Sequence, residues 1–201
     1  MQHQNPFGSW AEAGQGHSSG SLWNSNPAPS VFGALPYPPP PSRTITYYLT
    51  GFKPDIFNCC VIGSQNQVYY QIVTDSNMPG YTVIKNAEGK NISLIEWQAH
   101  PFVEIRGVLA KQNVMNWLRV SPDNSYRSME IRGTRYIWAP RDKSINLYSG
   151  GNGTPAMFLA KVTRSGNQTI TIEMIPDAIQ LGLLDPIVTA TTLLLSGRNI
   201  D

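Results

Sequence analysis

Charge is scarce in this chain. Asp, Glu, Lys and Arg make up 14% of its 201 residues, against about a quarter in an ordinary soluble domain. A net charge of +2 and the lack of any long Lys/Arg run exclude the usual kind of nucleic-acid binder. Long apolar runs are missing as well. No stretch approaches the ~18 consecutive apolar residues of a membrane span, so no transmembrane segment is expected. The first residues hold no basic segment followed by an apolar one. No secretory signal is therefore expected, and the chain should be cytoplasmic.

Cysteine is confined to the adjacent pair Cys59 and Cys60. Strand neighbours point to opposite faces, which disfavours a disulfide between them. Two thiols without clustered histidines make no zinc site either, so two reduced intracellular cysteines and no metal are expected. The sequons at Asn91, Asn152 and Asn167 then read as chance matches. Beyond residue 42 histidine occurs once, as His100 ahead of Pro101, where a structural or exposed role is expected. There is no Gly-x-Ser-x-Gly elbow, His-Glu-x-x-His helix or Walker lysine. Glu96 and Glu104 fall on different expected strands, and the glycine-rich Ser149–Thr154 stretch lacks a following lysine. The chain is therefore read as a non-enzyme without a cofactor.

What the chain does hold divides at residue 42. Residues 1–42 are rich in Gln, Asn, Ser, Gly and Pro, with isolated aromatics and no Lys or Arg before Arg43. So little apolar surface cannot offset chain entropy, and a disordered tail is expected. It closes on Pro36-Tyr37-Pro38-Pro39-Pro40-Pro41, which should be extended polyproline II. Residues 43–201 form the second unit. Short β-like runs follow one another: 44–50, 57–62, 68–74, 81–85, 92–97, 102–106, 114–120, 128–132, 135–139, 145–148, 157–163 and 169–175. Turn chemistry separates them, as at Met78-Pro79-Gly80 and Ser121-Pro122-Asp123-Asn124. Thr169–Met174 alternates, with Ile170, Ile172 and Met174 expected inward. In one hairpin Gly133-Thr134 fits a two-residue turn, pairing Arg132 with Arg135 and Met129 with Trp138. Met129, Ile131, Tyr136 and Trp138 then share an apolar face.

The last segment differs from all the others. Asp185 suits an N-cap, Pro186 a first helical position, and Gly197 the residue past the end. Between them Ile187–Leu195 is apolar on nearly every side, so a helix there must be buried on every side. Its Val, Ile and Thr residues also fit a strand. Pro176-Asp177 can open an earlier helical turn ending before Pro186. The expected architecture is mostly β: a closed antiparallel barrel of about twelve strands around a buried C-terminal helix.

That arrangement resembles the Tubby C-terminal-like fold. The residues Gly133-Thr134-Arg135-Tyr136-Ile137-Trp138, Leu147-Tyr148, Ala160 and Leu184-Asp185-Pro186-Ile187-Val188-Thr189-Ala190 resemble, more closely, a fungal family of unknown function in that superfamily. The likeness covers about residues 44–196. It implies a barrel around a central helix and no assigned activity. Better-known members of the superfamily bind phosphoinositides or act at membranes. Their phosphoinositide-binding residues and palmitoylated cysteine cluster have no counterpart matched here.

Two binding readings remain. Residues 106–143 carry eight basic side chains against three acidic ones, or +5 locally, whereas residues 42–105 come to −1. Arg119, Arg127, Arg132, Arg135, Arg141 and Lys143 are the candidates for an anionic headgroup at a membrane surface. Arg suits phosphate, and basic residues near an anionic leaflet contribute about 1 kcal/mol each. A solvated hairpin tip is the plain alternative. The second reading is a protein partner of the SH3 type. Pro38, Pro41 and Arg43 satisfy a P-x-x-P-x-Arg pattern read on polyproline II. A stiff spacer is its plain alternative.

Overall fold

The structure, a computed structural model, describes residues 44–150, 156–165 and 169–201. The expected tail with Pro38, Pro41 and Arg43, most of the glycine-rich loop, and the sequons at Asn152 and Asn167 lie outside those residues.

Thirteen strands form one antiparallel sheet. They are β1 (Ile45–Thr50), β2 (Cys59–Gly63), β3 (Val68–Thr74), β4 (Tyr81–Asn86), β5 (Asn91–Glu96), β6 (Phe102–Ile105) and β7 (Leu109–Asn113). The chain continues with β8 (Arg119–Val120), β9 (Arg127–Ile131), β10 (Thr134–Arg141), β11 (Ser144–Ser149), β12 (Phe158–Ser165) and β13 (Thr169–Met174). The order is β7-β6-β5-β4-β3-β2-β1-β13-β12-β11-β10-β9-β8, two meanders joined where β1 pairs with β13. Ile170, Ile172 and Met174 face the core as alternation predicts.

The sheet is not a closed barrel. Its edge strands β7 and β8 share no ladder, so the expectation of full closure is corrected. The cause is local. Where a strand was expected over 114–120, the chain forms a short helix, α1 (Val114–Trp117). The Asn113 side chain caps it by accepting from the Met115 N–H at 3.0 Å. Val114, Trp117 and Leu118 recur at helical spacing and are buried. Only two residues remain for β8, too few to zip against β7.

Two further helices follow β13. Pro176 opens α2 (Pro176–Gln180) at its first position. Gly182, at φ +70°, turns the chain into α3 (Leu184–Leu194), where every residue from Pro186 to Leu194 is buried. The helical reading therefore holds over the strand alternative. Asp185 is not its N-cap, however. Leu183 stands at that position without a side-chain bond, and Asp185 instead accepts a hydrogen bond from the Tyr70 hydroxyl of β3. Pro186, third in the helix, lacks an N–H that would have no intrahelical partner in any case. Two of its three threonines place their hydroxyls on backbone acceptors, whereas the buried Thr191 hydroxyl has no partner among the described residues. Thr189 donates to the Asp185 carbonyl at 2.8 Å, and Thr192 to Val188 at 2.9 Å. Ile187, Val188 and Leu193 share one core with strand residues such as Leu49, Ile95, Met129 and Ile172.

Candidate functional site

The β9–β10 hairpin turns one residue earlier than expected. Arg132 and Gly133 both have positive φ, 51° and 76°, and Ile131 pairs with Thr134. Such a two-residue turn follows the sheet's twist. Moving it by one residue shifts each partner by two, so the inward set of Met129, Ile131, Tyr136 and Trp138 is unchanged and buried. The arginines do change place. Arg135 stands opposite Glu130 rather than Arg132, and Arg132 occupies the tip.

Three of the six candidate basic residues converge. Arg119, Arg132 and Arg135 line a cleft of about 580 Å³ in the seam between the two sheet edges. One wall is β7 with Leu109, Ala110 and Gln112, and the other is β8 and β9 with Ser128 and Glu130. Glu130 is the lone carboxylate among these lining residues. Asn116 and Trp117 of α1 also line it. The Arg119 Nε donates to the Asn116 carbonyl at 2.9 Å, which fixes the guanidinium beside α1. Trp117 is 2% exposed, and its indole Nε1 has no hydrogen-bond partner among the described residues. A buried donor left in that state costs about 1–3 kcal/mol.

The other three candidates lie elsewhere. Arg127 is fully buried and forks onto Asp201, with Nη1 at 2.8 Å and Nη2 at 2.7 Å from its carboxylate oxygens. Nη1 also donates to the Leu118 carbonyl at 2.8 Å. It therefore offers no charge to a surface ligand. Arg141 and Lys143 flank the β10–β11 turn, about 20 Å along β10 from Arg135 at ~3.3 Å per residue. Lys111 points away from the cleft walls and pairs with Glu96 at 2.5 Å. Nearby, hydrogen bonds from Ser121 and Ser125 hold the Asp123 carboxyl below its usual range.

Sequence reasoning missed Trp117 and the seam itself. The Val114, Trp117, Leu118 spacing was the available signal for the first, and nothing local marks the second. Elsewhere, His100 is exposed, with Nδ1 3.2 Å from the Asp201 carbonyl oxygen. Among the described residues no three His, Cys, Asp or Glu side chains could hold a metal. No described helix is long and apolar enough to cross a membrane.

Residues 54–199 match the model of a family of unknown function, DUF6593. The chain belongs to that family. The DUF6593 match begins just ahead of β2 and ends beyond α3, so it takes in the whole seam. The X-ray structure of a protein from Arabidopsis thaliana is similar over 77% of this chain and 96% of that one, at 11% identity and a TM-score of 0.45. No curated protein matches the chain.

Proposed function

We propose that this DUF6593 domain is a non-enzymatic module that takes a phosphate-bearing lipid headgroup at an anionic membrane surface. The seam cleft is the site, and Arg119, Arg132 and Arg135 are its ligands. The observation that carries this reading is the convergence of Arg119, Arg132 and Arg135 on one cleft whose lining holds a single carboxylate, Glu130. Planar guanidinium groups suit phosphate oxygens, and low local dielectric strengthens each bond. Met115 adds a membrane argument. It is exposed on α1, beside Asn116 and Trp117 of the cleft, where an apolar side chain can enter the headgroup boundary. The same reading assigns the family to the Tubby C-terminal-like superfamily, supported by a helix buried from Pro186 to Leu194 within an antiparallel sheet.

Co-sedimentation of the full chain with phosphoinositide vesicles tests it, alongside binding of soluble inositol phosphates. Arg132→Asn/Arg135→Gln removes two charges, and Asn tolerates positive φ at the tip. At about 1 kcal/mol per basic residue, vesicle affinity should drop about 30-fold. Lys143→Gln should change it far less. Met115→Ser should weaken vesicle binding and leave soluble inositol phosphate binding unchanged. Failure to bind any anionic vesicle sinks the proposal. Equal loss from Lys143→Gln would replace the cleft by diffuse surface charge.

A further inference from the structure

The cleft carries its charges in a fixed order. Along β9, Met129 and Ile131 are buried in the core, so Ser128 and Glu130 share the outward face. Arg119 of β8 stands opposite Ser128, and Arg135 of β10 stands opposite Glu130. Three neighbouring strands thus present Arg, Glu and Arg on one face: positive, negative, positive. The two arginines are two strands and two residues apart. At ~4.8 Å per strand and ~3.3 Å per residue their backbones are about 12 Å from each other, with Glu130 between them. All three side chains line the same cleft.

Glu130 does not neutralise its neighbours. Opposite charges directly across a strand pair normally meet. Here no ion pair joins Glu130 to Arg119, Arg132 or Arg135 among the described residues. Arg119 donates from Nε alone, to the Asn116 carbonyl. The carboxylate and the guanidinium groups therefore stay available to one incoming molecule.

A bare polyphosphate does not match that order. It brings negative charge against Glu130, and like charges brought together in a cleft repel. A headgroup with an ammonium between two anionic groups does match it. We propose that the cleft selects the phosphoserine headgroup of a lipid, with Glu130 as the residue that sets the choice. The serine Cα carries the ammonium, with the phosphodiester arm on one side and the carboxylate on the other. One arginine takes the phosphodiester, the other takes the carboxylate, and Glu130 accepts from the ammonium. Each contact is a charge-assisted hydrogen bond. Arg132, at the hairpin tip, is left for the surrounding anionic lipid. This inference rests on the reading of the cleft as a headgroup site and narrows the ligand within it.

The test is co-sedimentation of the full chain with phosphatidylcholine vesicles carrying either phosphatidylserine or phosphatidylglycerol at equal mole fraction. The two lipids have the same net charge, so surface potential is matched. Phosphatidylserine should be preferred about tenfold, the effect of one charge-assisted hydrogen bond. Glu130→Gln, isosteric at an exposed position, should erase that preference by weakening phosphatidylserine binding without weakening phosphatidylglycerol binding. Glycerophosphoserine should release the chain from phosphatidylserine vesicles at concentrations where glycerol phosphate does not. Equal binding to both vesicles overturns the selection and leaves the arginine cleft standing, whereas binding to neither overturns both. A preference that survives Glu130→Gln also overturns it. Free glycerophosphoserine bound as tightly as the vesicles would make a soluble compound the ligand and overturn the lipid source.

Discussion

At the scale of single residues, burial and specific bonding set how this molecule answers to pH. Burial holds the Tyr70 phenol well above its usual value, aided by its bond to Asp185. Burial also pushes the Cys59 thiol up to about 12, helped by Cys60 and Asp55. Cys59 donates to the Ile56 carbonyl at 3.4 Å, as a protonated thiol should. Both groups keep their protons when folded and lose them near 9 and 10 when unfolded. Their contribution to stability is therefore complete below pH 9 and shrinks as pH rises toward 12. The urea midpoint should fall between pH 8 and pH 11, and Cys59→Ala should flatten the part that begins near pH 9. A pH-independent midpoint would show that neither group is shielded. Thiol reagents at pH 8 should modify Cys60, which is half-buried, well before Cys59.

At the scale of elements, α1 decides whether the sheet closes. Its cap is one side chain, Asn113, and replacing such a cap by alanine costs about 1 kcal/mol. Asn113→Ala should lower the unfolding free energy by that amount in urea titrations. A loss below a few tenths would mean that burial of Val114 and Trp117 alone holds the turn. The same element marks the limit of what could be read from sequence. Over 114–120 the apolar residues fit a strand and a helical turn equally, and three turns of context were not available to arbitrate. The β9–β10 hairpin was legible in its inward face, since alternation survives a two-residue shift. Its turn was not, because Arg132 at positive φ defies local preference for glycine or asparagine. The helix α3 was legible from its apolar girth and Pro-Gly punctuation. Asp185 was misread because its true partner, Tyr70, lies 115 positions away.

At the scale of the whole molecule, thirteen strands curl around a helix and leave a seam, and something must keep the two edges together without a ladder. The segment after α3 supplies that tie. Asp201 grips Arg127 at the start of β9, while Arg127 holds the Leu118 carbonyl at the end of α1. Ile200 is buried alongside, and Arg198 stacks on Phe57 and Trp97 at 4.4 and 4.7 Å from the far meander. The three arginines of the cleft lie along that seam. Removing one partner of a buried ion pair costs about 3–5 kcal/mol, and less here because the Asp201 side chain is 36% exposed. Asp201→Ala should thus destabilise by about 2 kcal/mol, and Arg127→Met/Asp201→Ala by less, since no charge is left buried alone. Hydrogen exchange separates a seam effect from a global one. In Asp201→Ala, amides of β8 and β9 should exchange up to ~30-fold faster while those of β1–β3 keep their wild-type rates. A uniform acceleration across all strands would show that the seam opens only when the whole sheet does, and that the cleft is as rigid as the core behind it.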